Sequence, residues 1–263
     1  MYISLKNIQI ADGKLNIEEF QHHFKTSKSF NTNDIVHFYR QLEPNLKIST
    51  INWRVYNLTQ IGILNRIGRG TFVLGESVNF VPEISNKLKR TYSKVVKEFP
   101  FVKFCIWETS AINELMVHQP GKLYTLIEVD KDATDAVFFF LKELNYTVFV
   151  EPTLDILEKY VPVDKDVFII KSLVTEAPVQ LITNVPTVTM EKILVDIFCD
   201  DLIFSAHQGS EMKTIFKEAF TKYAINESKL LRYADRRGKK ESFTAYLNSI
   251  PNLWQHNEPT ANL

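Results

Sequence analysis

The chain has 263 residues, of which 45% are hydrophobic and 24% are charged, and its formal net charge at pH 7 is zero. This composition is typical of a folded globular protein and excludes an intrinsically disordered chain, while the length favours two domains over one. No stretch approaches the roughly 18 uncharged apolar residues of a membrane span, and no amino-terminal run joins a basic region to a long apolar one. We therefore expect a cytoplasmic protein that does not bind membranes.

The zero net charge hides an uneven distribution along the chain. Residues 1–75 carry 9 Lys and Arg against 5 Asp and Glu, a net charge of +4, and residues 76–103 carry 6 against 3. Residues 104–201 carry 7 against 17, a net charge of −10, and residues 202–263 carry 9 against 6. Because Lys and Arg neutralise phosphates, this distribution predicts that a nucleic acid binds the amino-terminal part and is repelled by the middle.

Two short helices are predicted at the start of the chain. Apolar residues at helical spacing predict the first helix over residues 17–26. The second helix is expected to follow Thr32 or Asn33, which are both competent caps, and to end before Pro44. The apolar residues that it should bury are Ile35, Tyr39 and Leu42.

A third helix, over residues 49–62, organises this part of the chain. At 100° per residue, an apolar face contains Ile51, Val55 and Leu58, while polar and aromatic residues lie on the opposite face. Ser49 is predicted to cap the helix and Gly62 to stop it. A hairpin around residues 68–70 follows, so the order of three helices and a hairpin predicts a winged helix-turn-helix over residues 1–76.

Eight residues of this segment are candidate DNA contacts, each with a structural alternative. The hydroxyl of Ser49 could instead only cap the helix, and asparagine or arginine side chains that suit base edges could lie on a solvated helix face. Trp53 could contact a sugar or a thymine methyl group, or pack under the second domain. The hairpin arginines suit phosphates or the minor groove. The eight residues are Ser49, Thr50, Asn52, Trp53, Arg54, Asn57, Arg66 and Arg69.

The rest of the chain predicts a mixed α/β domain. Residues 77–99 contain a basic amphipathic helix, interpreted as a link, whose lysines either face solvent or add phosphate contacts. From residue 100, short strands alternate with helices, and the pattern after Pro186 is helical. The predicted fold class is therefore α/β (α+β), with the winged helix followed by an α/β domain over residues 100–263 that ends in helices.

Catalytic motifs are weak in this second domain. Glu128, Asp130 and Lys131 could serve a metal-dependent nuclease, although acidic residues between a strand and a helix more often cap the helix. A nucleotidyltransferase needs a Gly-Ser step followed by Asp-x-Asp, but here residues 164–166 precede Gly209-Ser210. Cys105 and Cys199 are isolated in apolar runs and predict small buried hydrophobes. We therefore expect no catalytic residues, no metal and no cofactor, with a working nuclease or nucleotidyltransferase-like domain as the alternative.

Two stretches carry a resemblance to a known family. INWRVYNLTQIGILNRIGRGTFVLG resembles the recognition helix and wing of AbiEi-family antitoxins from bacterial type IV toxin-antitoxin systems. VPTVTMEKILVDIFCD together with FKEAFTKYAINESKLLRYADRRG resembles the signature of their second domain. The resemblance implies a transcriptional autorepressor that binds the operator of its own operon as double-stranded DNA. It also implies an antitoxin that counters a nucleotidyltransferase-like toxin without a necessary direct complex.

The second-domain stretches also have a physical interpretation. Apolar residues form a stripe on the helix after Thr189, which leaves acidic and basic side chains free to pair. Residues at helical spacing on a later helix could meet them, so an ionic latch between the two helices is predicted in preference to an active site. The residues of the predicted latch are Glu191, Lys192, Asp196, Tyr233, Arg236 and Arg237.

Overall fold

The computed structural model describes residues 15–27, 29–60, 62–68, 70–75, 79–160, 166–251 and 253. The chain divides into two compact units. Unit 1 comprises Met1–Asn79, Phe220–Asn226 and Pro251–Leu263, and unit 2 comprises Phe80–Ala219 and Glu227–Ile250. The fold is mixed α/β with a helical carboxy-terminal segment, as the sequence predicted.

Unit 1 begins with helices α1 (Ile17–Phe24) and α2 (Thr32–Leu42). The cap of α2 is Asn31, whose side chain accepts hydrogen bonds from the amides of Asn33 and Asp34, while the Asp34 carboxylate accepts from the Asn31 amide. This reciprocal pair satisfies three amide groups that the helix itself leaves unpaired. The predicted caps, Thr32 and Asn33, are therefore already inside the first turn.

Helix α3 (Ile48–Gln60) begins one residue earlier than predicted. The Lys47 carbonyl accepts from the amides of Thr50 and Ile51, so Ser49 is the second residue of the helix and not its cap. Beyond the carboxy-terminal end, Gly62 has a φ of 78°, the left-handed conformation predicted for the stop.

Three strands form a small antiparallel sheet beside these helices. The strands β1 (Phe30–Asn31), β2 (Leu64–Gly68) and β3 (Thr71–Leu74) lie in the order β1-β3-β2. The amide of Thr32 donates to the Gly70 carbonyl at 2.9 Å, which attaches the hairpin to the start of α2. The element order of unit 1 is therefore helix, strand, helix, helix, hairpin.

The core of unit 1 is apolar and aromatic. Ile35 and Tyr39 are buried as predicted, but Leu42 is 43% exposed because it is the last residue of α2, beyond the turns that face the core. Phe20 and Phe38 make an edge-to-face contact, with ring centroids 5.2 Å apart. The other buried members of this core are Leu15, Phe24, Phe30, Ile51, Leu58, Leu64 and Phe72.

Unit 2 is built on a four-stranded sheet. The strands are β4 (Phe104–Glu108), β5 (Tyr124–Val129), β6 (Thr147–Val150) and β7 (Val167–Ser172), in the order β4-β5-β7-β6. Strands β5, β7 and β6 run parallel, and β4 pairs antiparallel with β5. Side chains alternate between the two faces, so each face has its own set of partners.

One face of this sheet packs against helices α4 (Asn86–Glu98) and α5 (Thr134–Glu143). Helix α4 lies within the segment interpreted as a link, yet it contributes Leu88 and Val95 to the core of unit 2. The other members of this core include Ile106, Ile127, Val137, Leu141, Phe168 and Ile170. The opposite face of the sheet carries Cys105, Glu128 and Lys171, which occupy matching positions on three neighbouring strands.

The remaining elements of unit 2 are mainly helical. Helix α6 (Leu154–Lys159) follows β6, and a hairpin of β8 (Val179–Ile182) and β9 (Val185–Val188), which the sequence analysis did not anticipate, follows β7. After α7 (Met190–Cys199), the helices are α8 (Ser210–Lys222), α9 (Glu227–Arg236) and α10 (Lys240–Ser249). Short 3-10 turns cover Thr109–Leu115, Lys131–Ala133 and Ser205–His207. In the described part of the chain, every helix is too short or too polar to cross a bilayer.

Candidate functional site

Helix α3 has one buried and one exposed side, as its period predicted. Ile51 and Leu58 are completely buried in the core of unit 1. On the other side, Trp53 is 47% exposed and Tyr56 is 61% exposed. Asn52 is also exposed. The helix therefore presents one amide and two large aromatic side chains to solvent.

Two other predicted contacts on α3, Asn57 and Thr50, are less accessible. Asn57 is half-buried, and its amide nitrogen donates to the Trp53 carbonyl at 2.7 Å. This bond uses one donor of the Asn57 amide and leaves the second donor and the oxygen for other partners. Ser49 is exposed and Thr50 is half-buried in the first turn of the helix.

Arg54 is a predicted base contact, but it does not lie on the exposed face of α3. It is only 6% exposed, its Nη2 donates to Glu43 Oε1 at 2.6 Å, and its guanidinium carbon lies 4.7 Å from the centre of the Tyr39 ring. The sequence held a signal for this outcome. Arg54 lies three residues after Ile51 and four before Leu58, which places it on the buried side of the helix.

The hairpin supplies one described arginine. Arg66 lies on β2 with an exposed side chain, and its guanidinium carbon is 6.0 Å from the centre of the Phe72 ring. Such a stacked position keeps a cation at the surface while its stem covers apolar groups. Arg69, the predicted tip of the hairpin, lies outside the described residues.

The second candidate site is a buried charge cluster around Lys192 in unit 2. Lys192 is 0% exposed, and its ammonium group donates to both Glu128 oxygens at 2.6 and 2.7 Å. A third bond reaches Asp196 Oδ2, one turn further along α7, at 2.5 Å. All three ammonium protons therefore have an acceptor, which is what a buried cation requires.

The two carboxylates have further donors. Trp107 Nε1 donates to Glu128 Oε1 at 3.2 Å, from the neighbouring strand β4. On the other side, the Tyr233 hydroxyl and Arg237 Nη1 donate to Asp196 Oδ1 at 2.8 and 2.9 Å. The cluster therefore joins the sheet, α7 and the end of α9 in one hydrogen-bonded network.

The proton affinities in this cluster follow from burial and pairing. Burial alone lowers the pKa of Lys192, but Asp196 and Glu128 raise it well above its ordinary value. Burial raises the pKa of Asp196, but Lys192, Arg237 and Lys171 together bring it below its ordinary value. Burial also raises the pKa of Tyr233, so its hydroxyl keeps its proton and remains a donor.

The predicted latch is therefore only partly assembled as predicted. Lys192, Asp196, Tyr233 and Arg237 meet, whereas the Arg236 guanidinium pairs with Glu176. Glu191 is buried on the same helix as Lys192. The sequence reasoning missed Glu128 and Trp107 as members of the cluster. A carboxylate inside the apolar run of β5 was the available signal, because a buried charge must have a partner.

The candidate catalytic residues do not come together. Glu128 is occupied by Lys192 and Trp107, while Asp130 Oδ2 accepts from the Lys103 amide at 2.9 Å, where it holds the loop before β4. Lys131 is exposed. Asp166 pairs with Lys87 at 3.0 Å, and the other two residues of the Asp-x-Asp, 164 and 165, lie outside the described residues.

The two cysteines have the environment predicted for small apolar residues. Cys105 is fully buried on β4 and Cys199 is half-buried at the end of α7. Burial raises the pKa of both thiols, and for Cys105 the raise is large. A protonated thiol is a poor nucleophile, so neither residue has the environment of a reactive cysteine.

Comparison with known proteins adds the family. No curated protein is significantly similar to this chain. The model of a family of unknown function, DUF6577, matches residues 50–252, which include most of α3, the hairpin after it and all of unit 2. Since the match covers well over half of the sequence, the chain belongs to the DUF6577 family.

Proposed function

We propose that unit 1 binds double-stranded DNA in a sequence-specific manner, with the exposed side of α3 in the major groove and β2 beside the phosphate backbone. The observation that carries this proposal is the division of α3 into a buried apolar side and an exposed side with Asn52, Trp53 and Tyr56. A helix locked by its apolar side keeps its other side in a fixed position for recognition.

The exposed groups suit base edges. An asparagine amide can donate to and accept from one adenine, and aromatic rings pack against thymine methyl groups. Neither Asn52 nor Trp53 carries a charge, so these residues would contribute discrimination between sequences more than general affinity for phosphate.

The architecture and charge of unit 1 support the same proposal. The order helix, strand, helix, helix, hairpin is the order expected of a winged helix, in which the third helix reads DNA. Residues 1–75 carry a net charge of +4, which favours a polyanionic ligand, and Arg66 on the hairpin suits a phosphate.

In this proposal the chain is a transcriptional autorepressor and an antitoxin, with its own operator as the DNA ligand. This wider role is supported by the resemblance to AbiEi-family antitoxins. The same resemblance implies a nucleotidyltransferase-like toxin as the functional partner. No catalytic step is assigned to unit 2, since the carboxylate of Glu128 is held by Lys192.

The test begins with selection of duplexes from a random DNA library by the full-length protein. Gel shifts of the selected duplex across a salt series then give the slope of log affinity against log salt, which falls by roughly 0.9 for each phosphate contact. We expect Arg66→Ala to flatten the slope and Asn52→Ala to lower affinity for the selected duplex without flattening it.

Matched controls come from unit 2. Arg232→Ala and Asn248→Ala remove exposed side chains of the same types from α9 and α10, and neither should change the affinity or the slope. Failure to enrich any duplex, or equal effects of the control and test variants, would overturn the assignment of DNA binding to unit 1. Repression of a reporter placed behind the upstream region of the gene tests the regulatory role separately.

A further inference from the structure

We propose that Arg54 is a positioning residue of the DNA-binding face. It fixes the orientation of α3 against the end of α2 and thereby controls discrimination between DNA sequences, without contacting DNA itself. This inference rests on the proposed DNA-binding function and adds a residue outside the exposed face to its determinants.

Two contacts of the Arg54 side chain converge on the end of α2. Its guanidinium lies over the Tyr39 ring, with 4.7 Å between the guanidinium carbon and the ring centre. Its Nη2 bonds to the carboxylate of Glu43 at 2.6 Å. Glu43 is the residue that caps α2, with its amide donating to the Tyr39 carbonyl at 2.8 Å. Arg54 therefore contacts both the last turn of α2 and the beginning of the turn that leads into α3.

Tyr39, the ring that Arg54 lies over, is itself held in place. The Tyr39 ring is fully buried, and its hydroxyl donates to the Leu15 carbonyl at 2.7 Å, just before α1. Burial raises the pKa of Tyr39, so the hydroxyl stays protonated and keeps this bond. Arg54 therefore ties α3 to a ring that is anchored at its far end to the chain before α1.

The contact is specific to arginine. A planar guanidinium can stack on an aromatic ring and direct Nη2 at a carboxylate at the same time, whereas a lysine ammonium is a compact charge on a flexible stem. Within the described part of the chain, Arg54 Nε and Nη1 have no hydrogen-bond partner, so Glu43 and the Tyr39 ring supply the polar contacts of this guanidinium. The neighbours on α3, Trp53 and Tyr56, move with any rotation of the helix because they share its backbone.

The test compares Arg54→Lys with the parent chain, using the selected duplex and a scrambled duplex of equal length and composition. The ratio of the two dissociation constants measures sequence discrimination, and the salt slope counts phosphate contacts. We expect the ratio to fall by about tenfold, roughly what one base pair supplies, while the salt slope stays unchanged. Arg40→Lys, at an exposed arginine of α2, is the matched control and should leave the ratio unchanged.

Other outcomes separate the alternatives. A direct phosphate contact would keep the slope in Arg54→Lys, because the positive charge remains, but would flatten it by roughly 0.9 in Arg54→Gln. If Arg54 had a purely structural role, the folded protein would keep the same ratio of dissociation constants. Circular dichroism, recorded well below the thermal transition, gives the folded fraction for this correction. Either result would overturn the inference.

Glu43→Gln keeps the test decisive if the Arg54 variants do not fold. It keeps Arg54 and weakens only its partner, so we expect a fall in the ratio of about threefold, smaller than for Arg54→Lys because the amide oxygen still accepts. An unchanged ratio in folded Glu43→Gln would contradict the inference. A parent chain that prefers no duplex would instead contradict the proposed function, which is a different result.

Discussion

Helices α3 and α7 use the same amphipathic pattern for opposite purposes. Both bury an apolar stripe, through Ile51 and Leu58 in α3 and through Ile193 and Ile197 in α7. On α3 the opposite side is exposed, with uncharged Asn52 and aromatic Trp53. On α7 every residue from 190 to 197 is buried, including three charged ones.

The two helices differ in whether their own unit supplies partners for their polar side chains. Lys192 on α7 is enclosed with two carboxylates, and their second partners come from β4 and the α9 region. On α3, Asn52 and Trp53 remain exposed, whereas Arg54, nearer the apolar stripe, is enclosed by α2. A side chain that its own fold satisfies is fixed, whereas one that remains exposed is available to a ligand. This contrast is why we assign recognition to α3 and a stabilising role to the cluster on α7.

The largest effect is expected from a substitution of Lys192, the buried cation of α7. Lys192→Met leaves Glu128 and Asp196 as buried carboxylates without their shared cation, so the free energy of unfolding of unit 2 should fall by about 3–5 kcal/mol. Urea unfolding followed by far-UV circular dichroism measures it. Lys213→Met, at an exposed lysine of α8, should stay within about 0.5 kcal/mol of the parent chain.

A compensating variant sharpens this prediction. Glu128→Gln, added to Lys192→Met, removes the buried carboxylate that Lys192 had paired and should recover part of the lost stability, while Asp196 keeps its bond to Arg237. Equal stability of the single and double variants would show that the cost comes from packing and not from unpaired charge.

The next effect tests the buried side of α3. Ile51→Ala removes a completely buried side chain and should destabilise unit 1 by about 2–5 kcal/mol, through lost burial and the cavity that remains. Ile48→Ala, at a 45% exposed isoleucine of the same helix, is the control and should cost much less. Similar losses of unfolding free energy for both variants would contradict the assigned faces.

Burial of His207, which follows α7 in the chain, should make the stability of unit 2 depend on pH. His207 is 3% exposed, and its neighbour Gln208 donates to the Ile197 carbonyl of α7 at 2.9 Å. Burial lowers the pKa of His207 from its ordinary 6.5 to about 4. Between these values the unfolded chain binds the proton and the folded chain does not, so stability is full above the upper value and falls as the pH decreases through this window.

The expected loss from His207 is about 2–3 kcal/mol between pH 7 and pH 4. Unfolding in urea at half-unit pH steps measures it, and His207→Leu should abolish the slope between pH 6.5 and 4. The lowered pKa of Asp196 acts in the same direction, but its contribution is lost from the ordinary carboxyl pKa of 3.8 downward, at lower pH than the window of His207. An unchanged pH slope in His207→Leu would place the titrating group elsewhere.

The smallest effect on stability belongs to the exposed side of α3. Trp53→Ala should change the free energy of unfolding by no more than about 0.5 kcal/mol, because nearly half of the ring is already in solvent. Its affinity for the selected duplex should nevertheless fall several-fold. A large loss of stability with unchanged DNA affinity would mean that Trp53 packs within the protein and does not read DNA.

The helices were the most predictable part of this protein. The 3.6-residue period located α3 within one residue of its observed start, and the helical pattern predicted after Pro186 is present as α7 to α10. Apolar periodicity and caps are local properties, so one sequence contains them. The β8-β9 hairpin was missed, although Thr183-Asn184 form its two-residue turn with φ of 48° and 67°. Asparagine in that turn was a usable signal, while threonine is unusual at positive φ.

The sites were harder to predict than the elements. Asn52 and Trp53 were placed correctly on the exposed side of α3, because the helical period alone decides the side. Arg54 was not, although its spacing from Ile51 and Leu58 puts it on the buried side, because a charged side chain is buried only where neighbouring groups offer it partners. Those neighbours, Tyr39 and Glu43, belong to another helix.

The sequence by itself determined the mixed α/β class, the amphipathic helices and the basic charge of the amino-terminal part, since each depends on residue types at short spacing. Only the tertiary structure decided which distant charges meet. Glu128 and Lys192 are 64 residues apart, so no local pattern could pair them. The sheet register and the packing of α7 bring these groups within hydrogen-bond distance, and burial then makes the pairing obligatory, because an isolated charge would be too costly away from water.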